Sequence, residues 1–85
     1  MEPWKLVLDE EAFQFLLGKS AAHRRQLLAI CNNLKNTPHR QPDYFSKDST
    51  GRDLSVIAIL PFLVTYWLDG FSREIRVVNI QRIRY

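Results

Sequence analysis

The chain has 85 residues, enough for one domain spanning 1–85 and one core, and its 46% hydrophobic and 25% charged residues exclude a disordered segment. One cysteine, Cys31, excludes an intrachain disulfide, and together with two separated histidines it excludes a typical zinc site. The net charge of +3 hides an asymmetry: residues 1–18 sum to −3, with Lys5 against Glu2, Asp9, Glu10 and Glu11, whereas residues 19–85 carry eleven bases against five acids, or +6. Such a field suits a polyanion or an acidic partner, and equally a solvated surface.

The first residues show no basic stretch followed by an apolar one, so no signal peptide is read there. Trp4 to Leu8 alternates as a strand, with Trp4, Leu6 and Leu8 on one face. Asp9 is placed to cap a helix that Glu10 and Glu11 favour through its dipole and that Gly18 ends; Ala12, Phe13, Leu16 and Leu17 form its apolar stripe. Phe13, Phe15, Leu16 and Leu17 make this helix apolar on more than one side, as a covered helix would be.

Ser20 caps a second helix reaching Leu34 or Lys35, with Leu27, Leu28, Ile30, Cys31 and Leu34 at spacings of three and four. Cys31 reads as a buried structural thiol. The stretch from Asn36 to Pro42 is a loop, since Pro38 and Pro42 forbid helix.

The rest is strand-like. Asp43 to Ser46 is short and closed by a turn over Lys47–Gly51; Leu54 to Leu60 and Phe62 to Leu68 are apolar strands parted by Pro61, which belongs in a tight turn. The apolar run Val56–Leu68 is 13 residues long and too short to cross a bilayer. Asp69-Gly70 marks a hairpin before a last strand from Arg73 to Ile83. Arg76, Arg82 and Arg84 share one face of an ideal strand, either a grip for phosphate or a charged edge that discourages sheet pairing. Trp4 and Trp67 read as core or interface residues rather than stacking platforms. The order β-α-α-β-β-β-β argues for the α+β class, a strand and helical hairpin packed on a mainly antiparallel sheet.

Gly51-Arg52-Asp53-Leu54, Pro61 to Tyr66 and Glu74 to Ile80 resemble the RelE/ParE superfamily of toxin–antitoxin toxins. The closing Arg82-Ile83-Arg84-Tyr85 is similar to the YoeB branch. The resemblance implies a cytoplasmic toxin that cleaves ribosome-bound messenger RNA without metal or cofactor and is held inactive by a cognate antitoxin. Attack by the RNA's own 2′-hydroxyl needs a base, cations around phosphorus and an acid for the leaving oxygen. On the resemblance, Asp43 is the candidate base, Arg52 and Arg82 grip phosphate, Arg84 stabilises charge and Tyr85 stacks or donates; Lys47, Arg76 and His39 are RNA-binding candidates.

The same residues have plain structural uses: Asp43 as a turn residue, Arg52 paired with Asp48 or Asp53, and a solvated His23. Leu63 stands where the superfamily usually has an arginine three residues before its tyrosine, here Tyr66. Two other functions therefore stay open: a ParE-type inhibitor that binds DNA gyrase, and an inactive toxin-like interaction module. The oligomeric state is left open.

Overall fold

A computed structural model describes residues 3–83. Strand β1 (Lys5–Leu8) leads into helices α1 (Glu10–Leu17) and α2 (Ala21–Asn36), followed by β2 (Tyr44–Lys47), β3 (Asp53–Ile59), β4 (Phe62–Asp69) and β5 (Glu74–Arg82). The class and element order expected from the sequence are the ones found. The five strands lie in the order β1-β5-β4-β3-β2. Strand β1 runs parallel to β5, and the other pairings are antiparallel. The last strand is thus interior, while β1 and β2 form the edges.

Both helices bury one stripe against one face of the sheet. Ala12 and Leu16 of α1 and Leu27, Ile30, Cys31 and Leu34 of α2 meet Ile57, Phe62, Val64, Tyr66, Ile75, Val77 and Ile80 from the strands. Burying side chains of this size stabilises by roughly 1.5–3 kcal/mol each, before chain entropy is counted. Leu28, Phe13 and Leu17 remain exposed on the outer faces of the helices.

The helix ends differ from expectation in detail. Ser20 does cap α2, accepting a hydrogen bond from the His23 N–H at 3.3 Å. Asp9 has extended backbone at the start of α1 but makes no side-chain cap bond; its carboxylate lies 3.8 Å from Arg76 instead. Gly18 ends α1 with φ −76°, a right-handed conformation, so no left-handed glycine closes that helix. In the β2–β3 turn, by contrast, Gly51 has φ +84° and uses the freedom that glycine alone has. After β4, Arg73 rather than Gly70 takes the left-handed position, with φ 54°.

One irregularity sets the faces of β5. Thr65 pairs with Asn79 while Tyr66 pairs with Val77, so Val78 is an extra residue, a β-bulge. Before it, Ile75 and Val77 point to the core. After it, Ile80 does so, and Arg82, the partner of the buried Phe62, follows on the same side. Arg76 pairs with Trp67 on the opposite face. The expectation that Arg76 and Arg82 share a face is therefore overturned: ideal alternation does not survive the bulge.

Candidate functional site

The sheet face turned away from the helical core carries Leu54, Val56 and Ala58 of β3, Leu63, Thr65 and Trp67 of β4, and Arg76, Asn79 and Gln81 of β5, by register and alternation. Leu54 and Val56 are buried although they stand outside the main core. A groove of about 470 Å³ is lined by Leu54 and Val78 together with Asp9, Glu10, Glu11 and Asp48. The first turn of α1 and the turn after β2 thus contribute carboxylates to it.

The guanidinium groups beside this face are already engaged. Arg52 lies over the Trp67 ring, 4.0 Å from its centroid, and Arg76 lies 5.8 Å from the same centroid. Trp67 is half-buried and carries both of these cations of its own chain on its ring. Arg76 also faces Glu74 at 3.0 Å, Asp9 at 3.8 Å and Asp69 at 4.0 Å, and three carboxylates outweigh one guanidinium.

Two turns are organised by acids. Asp48 accepts from the Thr50 hydroxyl at 2.6 Å and from the Thr50 and Arg52 N–H groups at 2.9 Å. Those bonds, the Thr50 hydroxyl foremost, hold its carboxyl below the usual range. Asp69 accepts from the Phe71 N–H at 3.1 Å and the Ser72 N–H at 3.4 Å. Desolvation acts most strongly on Asp69 and upward, yet the Ser72 and Phe71 bonds and the Arg76 charge together bring it below its ordinary value.

The other candidates scatter. Lys47 is tied to its own hairpin, 2.7 Å from the Asp53 carboxylate and 3.4 Å from the Gly51 carbonyl. The Asp43 carboxylate accepts from the Ala58 N–H at 2.7 Å, and its own N–H donates to the Val56 carbonyl, so it fastens the start of β2 to β3. His39 stands edge-on to Trp4, centroids 5.7 Å apart, near β1 and away from the β2 edge that holds Asp43. The proline loop that carries it thus runs against Trp4, next to β1. Arg82 is exposed and makes no ion pair with any described residue. Arg84 and Tyr85 lie outside the described residues. Arg52 and Arg76 thus lie at Trp67 on one face of the sheet, and Arg82 follows Phe62 on the other.

Near the exposed end of β5, aromatic and cationic groups meet on the helical side. Phe62 is met edge-on by Phe15 and by His23, centroids 6.2 and 6.4 Å away, and the Lys19 ammonium sits 4.4 Å from the Phe15 centroid. Tyr66 is buried; desolvation pushes its hydroxyl above the ordinary value, opposed by the Arg40 charge and a hydrogen bond with Ser55. Asp9, Glu10 and Glu11 read in the sequence as a helix start and an acidic segment; the structure also sets them in the groove. The negative sum of the first 18 residues was the available signal.

No protein-family model and no curated protein matches the sequence. Solved structures do match in shape. A chain of the RelBE2 toxin–antitoxin complex from Mycobacterium tuberculosis superposes with a TM-score of 0.74 at 10% identity, covering 95% of this chain and 99% of that one. The isolated E. coli RelE toxin gives 0.72 at 15% identity, covering 96% and 86%. The fold is RelE-like.

A chain of the archaeal RelE–RelB complex from Pyrococcus horikoshii OT3 gives 0.69 at 15% identity, with 95% and 96% covered. Both chains are matched nearly end to end, so the RelE-like fold accounts for the whole domain rather than for one motif within it. Identities this low speak for the fold alone, and the charged residues above are this chain's own arrangement of a RelE-like sheet. Among the described residues, no helix is long and apolar enough to cross a membrane.

Proposed function

We propose that this chain is the toxin of a type II toxin–antitoxin pair, neutralised by a cognate protein antitoxin. The observation that carries the reading is the end-to-end superposition on RelE structures, two of them complexes of toxin with antitoxin. The finer reading is cytoplasmic, ribosome-dependent cleavage of messenger RNA with no cofactor. Its support is the RelE-like fold together with a cationic, aromatic-backed end of the sheet, where Arg82 shares its face with Phe62 and His23 stands on that ring.

Within that reading Arg82 grips phosphate, and Arg84 and Tyr85, two and three residues further on, supply charge stabilisation and stacking. Arg52, Arg76 and Lys47 hold structural partners, and Asp43 fastens a strand, so the base for the 2′-hydroxyl is assigned to His23 in preference to Asp43. A neutral imidazole is a competent base near neutral pH.

The test is induction in cells that lack a partner, followed by mapping of RNA ends. Growth arrest with new ends in ribosome-bound messages, relieved by co-expressing the product of the neighbouring reading frame, is the expected result. Arrest with intact messages and altered DNA supercoiling would move the target to gyrase. Unchanged growth with folded protein present would remove the toxin reading.

A further inference from the structure

The groove on the open face has the wrong charge for RNA. Its lining is two aliphatic side chains, Leu54 and Val78, under four carboxylates, Asp9, Glu10, Glu11 and Asp48. The lining itself holds four carboxylates and no base, on a chain whose net charge is +3. A phosphate backbone is repelled by such a field.

A metal ion is a poor occupant as well, since no three of the described His, Cys, Asp or Glu residues converge as a metal site. The groove lies open to solvent rather than enclosing a cavity. That shape suits an extended or helical segment laid across it better than a small molecule held inside it.

We infer that this groove seats a cationic, amphipathic segment of a protein partner, with an aliphatic side chain on Leu54 and Val78 and flanking arginine or lysine facing Glu10 and Glu11. Charge complementarity selects this occupant. Asp9 and Asp48 are occupied by Arg76 and by the β2–β3 turn. Glu10 and Glu11 are exposed, and neither pairs with a described residue. They occupy the first turn of α1. The inference does not rest on the toxin reading, because it concerns the face opposite Arg82.

The test titrates the isotope-labelled full chain with a short peptide alternating arginine and leucine, followed by amide chemical shifts. Saturable binding is expected, with shifts gathered at Leu54, Thr65, Val78 and the first turn of α1. The Glu10→Gln, Glu11→Gln double variant should bind roughly fivefold more weakly, the scale set by two exposed charge contacts. Asp53→Asn, in a pair outside the groove, should bind as the parent does. Folding of both variants is checked by their amide spectra without peptide.

Equal binding of an arginine–glycine peptide would overturn the inference, because the aliphatic floor would then contribute nothing. So would shifts spread over unrelated carboxylates, an absence of saturation, or movement of the groove signals on adding single-stranded RNA. Groove signals that depend on protein concentration alone would overturn it in favour of a second copy of this chain.

Discussion

Deletion of Val78 separates two descriptions of β5 that differ in which side chains reach the core. If the strand alternated regularly, Arg76, Val78, Ile80 and Arg82 would share one face. With Ile80 on the core side, removing one residue would then turn Ile80 outward and draw Asn79 or its neighbours inward. Ile80 is 2% exposed, and expelling a side chain of that size loses roughly 1.5–3 kcal/mol. Burying an unpartnered amide in its place costs about 1–3 kcal/mol more. The total, about 2.5–6 kcal/mol, approaches the whole stability of a small domain.

With Val78 as a bulge, the outcome differs. Asn79 already pairs with Thr65 and Ile80 with Val64, so deletion regularises the ladder and leaves Ile80 and Arg82 where they are. What is lost is the partial burial of Val78 and the local twist, below about 1.5 kcal/mol. Urea unfolding of the deletion variant, with amide exchange at Ile80, measures the difference. A fold retained with a small shift in midpoint is expected. Loss of cooperative unfolding, or an unprotected Ile80 amide, would refute the bulge and with it the separation of Arg76 from Arg82.

Other consequences follow from single contacts. Burial pushes the Cys31 thiol from its ordinary 9.0 up to about 11. A group raised on folding contributes stability that is intact below the unfolded value and lost as pH climbs through the folded one, so unfolding should become easier between about pH 9 and 11, by up to about 3 kcal/mol. Cys31→Ala should flatten that part of the profile, and alkylation of the native thiol at neutral pH should be slow. Asp43→Ala removes the acceptor of the Ala58 N–H and should cost about 1 kcal/mol, read by denaturant melts with β2 amides exchanging first. Ser20→Ala should cost about 1 kcal/mol through the lost cap of α2, visible as a lower melting temperature at unchanged helix content in the native baseline.

Much of this fold is legible in the chain because its local signals agree. Asp9 and Gly18 bracket α1, Ser20 starts α2, two prolines clear the loop, and Pro61 parts two apolar strands within a residue of their observed bounds. The site was harder to read. Val77, Val78, Asn79 and Ile80 fit either strand phase, and a bulge depends on the partner strand, so nothing local reveals that Arg82 leaves the face of Arg76.

Long-range placement was equally hidden. His39 meets Trp4, 35 residues earlier in the chain, and Arg52 finds Trp67 across β3 and β4; neither spacing has a sequence signature. The acids of the first turn read as a helix start, and nothing local shows that they also stand beside Leu54 and Val78.

The most direct test of the account compares arginines on the two faces during induction without a partner. Incorporation of labelled amino acids should collapse with the parent chain and with Arg76→Ala or Arg52→Ala, provided each variant folds, and should persist with Arg82→Ala. Continued translation with the folded parent chain, or an Arg82→Ala variant as inhibitory as the parent, would contradict it.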